Sequence, residues 1–309
     1  MNCSQAPDFI LLGLSGEPEK WQLFFSIFLG LFFLGLLGNL LLLIAIGADV
    51  HLHTPMYFFL SQLSLVDFCF LTTIVPKTVL ALWTGDGSIS FSGCLTQFYF
   101  FAVFVDMDNL LLAVMAFDRY AAICHPLLYP LLMTPCRCEV LASVSWGVAH
   151  CVSLFYTLLL SQLYFHTNQG IPHFFCDSKP LLLLSCSDTH LNEVLMMALP
   201  GVLGVSSVFC IVSSYGFIFY AVARVPSVEG KRKALATCSF HLCVVFLFYS
   251  TAFATYLKPP STSHSSGDVV AAVMYTLVTP TLNPFIYSLR NKDVKSSLRR
   301  ILKIEKDQK

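Results

Sequence analysis

Seven stretches of the chain are apolar enough and long enough to cross a bilayer. Five are built on runs without Asp, Glu, Lys or Arg, whereas the second contains Asp67 and the third contains Asp106, Asp108 and Asp118. A spanning segment needs about 20 apolar residues, and its backbone must form its own hydrogen bonds, so each stretch predicts a helix. The predicted spans are 23–46, 55–79, 95–119, 138–160, 192–219, 235–257 and 268–288.

Composition agrees with a chain that lies mostly in lipid. Of 309 residues, 56% are hydrophobic and 12% charged, about half the charged fraction of an average soluble domain. The net charge is zero, so no basic surface indicates nucleic acid. The apolar runs lack the alternation of a porin-like barrel. We therefore expect an all-α, seven-helix membrane bundle.

The basic residues indicate how the chain crosses the membrane. With the N-terminus outside, 14 of the 18 Lys and Arg residues fall on the cytoplasmic side, as the positive-inside rule requires. This predicts an extracellular tail at 1–22, the bundle at 23–288 and a cytoplasmic segment at 289–309. Residues 290–303 interleave apolar and basic positions, which favours a short helix on the inner leaflet. Acidic residues within 1–20 argue against a cleavable signal peptide.

A run at the cytoplasmic end of the third span carries a family resemblance. The run is MAFDRYAAICHPLLY (115–129), and it strongly resembles the signature of vertebrate olfactory receptors, a branch of the rhodopsin-like G-protein-coupled receptors. Similar blocks follow one another along nearly the whole chain. They are FILLGL (9–14), GN (38–39), LHTPMY (52–57), SLVD (64–67), HFFCD (173–177), SDT (187–189), SY (214–215), KALATC (233–238) and PTLNPFIYSLRN (280–291).

The resemblance implies a receptor at the plasma membrane with no enzymatic activity and no cofactor. It would bind a small-molecule odorant, activate a heterotrimeric G protein of the olfactory stimulatory type and raise cyclic AMP. Two carboxylates inside apolar helices, Asp67 and Asp108, are expected to form a sodium or proton-sharing site, or else a neutral hydrogen-bonded pair. The activation residues implied by the family motifs are Asp118, Arg119, Tyr120, Tyr215, Asn283, Pro284 and Tyr287.

Helical spacing predicts the ligand-binding face. The set is apolar and aromatic with a few polar anchors, which suits small volatile molecules. Asp106 is its one acid, and it would either stay protonated and donate a hydrogen bond or ionise against a cationic ligand. The predicted residues are Phe101, Ala102, Val105, Asp106, Asn109, Leu199, Leu203, Tyr249, Phe253, Tyr256, Val273 and Thr276.

Four cysteines lie on the predicted outer side. The resemblance implies a disulfide between Cys94 and Cys176, with Cys186 as the alternative partner of Cys94. Olfactory receptors usually carry another loop cysteine where this chain has His166, so Cys186 is expected to be a free thiol. An unpaired thiol is also expected at Cys3. Asn2 begins a glycosylation sequon, Asn-Cys-Ser.

Other functions have less support. A non-olfactory chemosensor remains an alternative that only tissue expression separates. A retinal protein would need a lysine within 269–289, which has none, and a transporter would typically show an internal repeat. Glycine-rich phosphate loops and hydrolase motifs are absent from the sequence. A metal site at 173–177 is not expected, because a bridged Cys176 could not coordinate as a thiolate. The cysteine and histidine groups at 136–138 and 238–243 offer too few ligands for a closed zinc site.

Overall fold

The computed structural model describes residues 3–13, 18–167, 170–256, 266–288 and 292–301. The predicted glycosylation site at Asn2 lies outside these residues. Within them, seven helical segments are long and apolar enough to cross a membrane. The first six spans are α1 (Pro18–Ala48), α2 (Pro55–Thr84), α3 (Phe91–Cys124), α5 (Pro135–Ser161), α7 (His190–Ala223) and α8 (Val228–Tyr256).

Local sequence signals place the helix ends. Pro55 and Pro135 stand in the first turns of α2 and α5, where a missing N–H costs nothing. The Ser90 hydroxyl accepts from Gly93 N at 3.1 Å and caps α3. Gly85 ends α2 with a φ of 74°, in the left-handed region that favours glycine. The observed helices are longer than the predicted spans. The difference is clearest for α3, for α7 and for the start of α8.

The seventh span is interrupted by a π-helix, which the sequence pattern did not predict. It consists of α9 (Ser266–Val273), a π-helical segment (Met274–Val278) and α10 (Thr279–Ser288). The Thr279 hydroxyl donates to the Met274 carbonyl five residues earlier, at 2.9 Å. A π-helical turn adds a residue to the helix, so the side chains on its two sides follow different registers.

Short strands cover the end of the bundle that carries the N-terminus. Strand β1 (Cys3–Ser4) pairs antiparallel with β4 (Phe165–His166). Strand β2 (Phe9–Leu11) lies between β3 (Ser88–Ile89), antiparallel, and β5 (Gly170–Ile171), parallel. A short helix, α6 (Ser178–Leu183), follows in the same loop as β4 and β5. The N-terminal segment is thus built into the loop between α5 and α7.

Two disulfides fasten this end of the bundle. One joins Cys94 at the start of α3 to Cys176 in the loop. The other joins Cys3 to Cys186, so the predictions of an unpaired thiol at Cys3 and a free thiol at Cys186 were wrong. The pairing of β1 with β4 explains the error, because it places Cys3 directly opposite His166. Cys3 thereby takes the place in which olfactory receptors usually carry a loop cysteine.

The opposite end of the bundle holds two short helices, α4 (Tyr129–Leu132) and α11 (Lys292–Ile301). Helix α11 buries Val294, and the Ser297 hydroxyl donates to the Ala45 carbonyl of α1 at 3.4 Å. Arg300 forms an ion pair with Asp49, just after α1. An amphipathic helix therefore follows the seventh span, as expected, and it is held against the first.

Candidate functional site

The Asp118–Arg119 pair lies at the α4 end of α3, with its carboxylate fully engaged. Arg119 Nη2 donates to Asp118 Oδ2 at 2.8 Å, and the Tyr129 hydroxyl donates to Oδ1 at 2.7 Å. The Asp118 side chain is buried and that of Arg119 is 12% exposed. Tyr120 points elsewhere, and its hydroxyl lies 3.0 Å from His125 Nε2. The guanidinium is thus held by a carboxylate that α4 helps to position.

A buried histidine of α8 links this helix to α3 and α7, closer to the centre of the bundle than Arg119. His241 Nε2 lies 3.0 Å from the Leu112 carbonyl of α3, and Nδ1 lies 2.9 Å from the Tyr215 hydroxyl of α7. Because a carbonyl can only accept, Nε2 carries the proton and Nδ1 accepts from the tyrosine. Sequence reasoning considered His241 only as a metal ligand. The sequence feature that could have identified this role is a titratable ring inside an apolar span, because such a ring requires a hydrogen-bond partner.

The two mid-membrane carboxylates occupy one polar region beside the seventh span. Asn283 Nδ2 donates to both carboxylate oxygens of Asp67, at 3.2 and 3.0 Å. Asp108 is close enough to Asp67 to interact with it electrostatically. Among the described residues, Asp108 Oδ1, Asn283 Oδ1 and the Tyr287 hydroxyl are buried without a hydrogen-bond partner. Such unpaired oxygens are the atoms that a small cation or a shared proton would engage.

A second polar contact links the middle of the bundle across α3, α7 and α8. The Tyr249 hydroxyl donates to Asn109 Oδ1 at 2.6 Å, and Asn109 Nδ2 donates to Ser207 Oγ at 3.0 Å. Asn109 and Tyr249 were both in the predicted ligand set, and Ser207 was not. Ser207 lies one turn beyond Leu203 on the same face of α7, so the helical spacing could have identified it.

Aromatic rings fill the space between this contact and the covering loop. Phe101 lies 5.0 Å from Phe175 of the loop and 5.7 Å from Phe70, measured between ring centroids. Tyr275 lies 6.3 Å from Phe70 and 5.7 Å from Phe248. Tyr275 was missed because the predicted face of the seventh span assumed a regular helix. The π-helical segment contains Tyr275, which is buried there.

The remaining predicted ligand residues do not form one buried group. Asp106 is buried, as is Thr276, whose hydroxyl donates to the Ala272 carbonyl. Tyr256 is exposed, with its hydroxyl hydrogen-bonded to Asp177. The half-buried members are Ala102, Val105, Leu203 and Val273, and the other exposed members are Leu199 and Phe253.

The loop around Cys176 is held over the aromatic cluster by hydrogen bonds. Gln97 Oε1 accepts from Cys176 N at 2.9 Å, and the Thr78 hydroxyl lies 3.1 Å from the Phe174 carbonyl. Asp177 is buried beside them and accepts from Ser178 N at 2.7 Å. Burial raises the pKa of the Asp177 carboxyl to about 6, and the hydrogen bonds from Ser178 and Tyr256 and the charge of Lys179 oppose the rise. These hydrogen bonds hold the loop in one position above the helix bundle.

Comparisons with known proteins agree with this arrangement. The family model described as "Olfactory receptor" matches residues 28–306. Olfactory receptor 1f45 of Rattus norvegicus is 53% identical over 301 residues, which cover 97% of this chain and 96% of the relative. Olfactory receptor 1G1 of Gorilla gorilla gorilla is 50% identical, and olfactory receptor 1N1 of Homo sapiens is 49% identical, with the same coverage. The chain therefore belongs to the olfactory receptor family and is a multi-pass protein of the cell membrane.

Proposed function

We propose that this chain is an odorant receptor that binds small volatile organic molecules inside its helix bundle and activates a stimulatory G protein, raising cyclic AMP. It acts as a signalling receptor and not as an enzyme. The strand-covered end, with the N-terminus, faces outward, and the end with Arg119 and α11 faces the cytoplasm. The olfactory receptor relatives and the distribution of basic residues support this assignment.

One observation carries the mechanism: α8 contacts both the ligand region and the coupling end. Tyr249 of α8 donates to Asn109, and His241, two turns away on the same helix, binds Tyr215 and the α3 backbone. A ligand that replaces the contact between Tyr249 and Asn109 loosens α8 from α3. The same displacement breaks the His241 contacts, so the two ends of the bundle respond together.

Arg119 is the residue that this movement makes accessible. Its guanidinium is paired with Asp118 in the described arrangement. Outward movement of α8 opens the cytoplasmic face beside it, where Arg119 and Tyr215 meet the G protein. Ligand binding then shifts the equilibrium only by the difference in its affinity for the two arrangements. Asp67, Asp108 and Asn283 form the sodium or proton site that couples the seventh span to α2 and α3.

The test is a cyclic AMP reporter in cells that express the chain, screened with odorants grouped by chemical class. We expect responses in the wild type and a raised cyclic AMP level without odorant in Tyr249→Phe, because that variant lacks one buried hydrogen bond, worth about 1 kcal/mol, that holds α8 to α3. Tyr220→Phe changes an exposed tyrosine of α7 and serves as the matched control. A receptor that reaches the surface but leaves cyclic AMP unchanged with every odorant class contradicts the proposal.

A further inference from the structure

Three buried polar atoms on two neighbouring helices, α3 and α5, have no hydrogen-bond partner among the described residues. They are Asp106 Oδ2 on α3, and the Tyr156 hydroxyl and Ser153 Oγ on α5. The three residues are 7%, 4% and 0% exposed, respectively. An unsatisfied buried polar group typically costs about 1–3 kcal/mol. Three such groups in one region indicate that something absent from the polypeptide supplies their hydrogen bonds.

The three groups lie at one interface, between α3 and α5, where a single ligand can contact more than one of them. Ser153 and Tyr156 are three residues apart on a helix, so they lie on the same face of α5. Tyr156 lies within electrostatic range of Asp106 across the interface between α3 and α5. Tyr275 of the seventh span also lies within electrostatic range of Asp106. Asp106 therefore has tyrosines from two other helices, α5 and the seventh span, in its surroundings.

No cation balances Asp106 from within the protein. Among the described residues, its carboxyl takes part in no ion pair, and two tyrosines, Tyr156 and Tyr275, lie within electrostatic range of it. An uncompensated charge inside an apolar bundle is costly, so a neutral carboxyl is the favoured form. In that form Asp106 offers an O–H donor, and Tyr156 offers another.

We propose that Asp106 and Tyr156 bind the same oxygen atom of the ligand, and that the receptor therefore takes neutral carbonyl compounds. The inference rests on the proposed odorant-receptor function. A carbonyl oxygen has two lone pairs and accepts both hydrogen bonds at once. A hydrocarbon would leave both donors unpaired, and an amine would require an ionised Asp106. The aromatic cluster of Phe70, Phe101 and Phe248 contacts the hydrocarbon part.

The test compares matched compounds on each of several short straight and cyclic skeletons: the alkane, the ketone, the alcohol and the amine. In the cyclic AMP reporter, the wild type should respond most strongly to ketones. Tyr156→Phe should raise the half-maximal ketone concentration about tenfold, because it removes one donor. Asp106→Asn keeps a donor and should retain the ketone response, whereas Asp106→Leu should raise the half-maximal ketone concentration at least as much as Tyr156→Phe does. Tyr99→Phe is the control for losing a tyrosine hydroxyl at the same interface, because the Tyr99 hydroxyl bonds to His150.

Two further measurements separate the possible outcomes. The loss in Tyr156→Phe/Asp106→Leu should be smaller than the product of the single losses, since both residues bind one oxygen. The amount of receptor at the cell surface is measured for every variant. If Asp106→Leu is retained inside the cell, Tyr156→Phe and Asp106→Asn are used for the test. A receptor that answers a broad odorant mixture but no ketone overturns this proposal and leaves the proposed function standing. Unchanged ketone responses in Tyr156→Phe, or amine responses lost in Asp106→Asn, also overturn it.

Discussion

Exchanging one disulfide for another tests how the N-terminal segment is held. Cys3 and His166 are direct partners in the β1–β4 ladder, and the Cys3 and Cys186 sulfurs and a His166 ring nitrogen all lie within 4.8 Å of one another. A cysteine at position 166 is therefore within reach of Cys186. We expect Cys3→Ser to destabilise the receptor, and Cys3→Ser/His166→Cys to recover part of the stability through a new bond inside the loop.

The size of the effect follows from the lengths of chain that the two bonds close. From Cys3 to Cys94, across the bridge to Cys176 and on to Cys186, the path is about 100 residues. The loop-entropy relation assigns such a closure about 4.7 kcal/mol. A bond between positions 166 and 186 closes about 20 residues and is worth about 3 kcal/mol. The double variant should thus regain roughly two thirds of the loss.

The assay is thermal unfolding of the purified receptor, supported by surface labelling of intact cells. Cys3→Ser/His166→Ser is the matched control, because it changes the same two positions without offering a thiol. Peptide mapping establishes whether the new bond has formed. The reasoning is refuted if Cys3→Ser unfolds at the wild-type temperature, or if the new bond forms and no stability returns.

Three further variants test other parts of the molecule. Cys94→Ser should abolish surface expression, because losing a native bridge commonly costs about 2–5 kcal/mol, and normal surface labelling would contradict this. Arg119→Ala should reach the surface and stay silent to every agonist of the wild type, which the cyclic AMP reporter checks. The pKa of Asp177 is about 6 in the folded protein and 3.8 as the reference. The folded state therefore holds the proton more tightly, and wild-type stability should rise as the pH falls from about 6 to about 4. Asp177→Asn should lack that part of the rise, as unfolding temperatures across this range would show.

The helices were predictable because a span in lipid depends on local composition alone. An apolar run of about 20 residues has few alternatives to a helix, whichever residues surround it. The end helix α11 followed from the same kind of local pattern. The Cys3–Cys186 bond was not predictable, because it depends on strand pairing between positions 163 residues apart, and β1 and β4 have two residues each.

The candidate site was predicted in part for the same reason. Asn109 and Tyr249 lie on regular helices, so spacing placed them on facing surfaces, and the structure joins them. Tyr275 was not predicted, because helical spacing assumes one register along the whole helix. Phe253 is exposed although its spacing from Tyr249 resembles a shared face. Helical periodicity identifies a face, whereas the tilt between helices decides how far along that face the neighbours reach.

The π-helical segment makes the seventh span a helix of two independently oriented halves. A helix turns by about 100° per residue, so removing one residue from Met274–Val278 would rotate α9 by that angle relative to α10. The contact between Asn283 and Asp67 belongs to α10 and would stay in place. A single-residue deletion would therefore exchange the side chains that α9 presents to the bundle without altering those of α10. The ligand-binding surface proposed above would then change with the length of one segment, apart from any change of side chain.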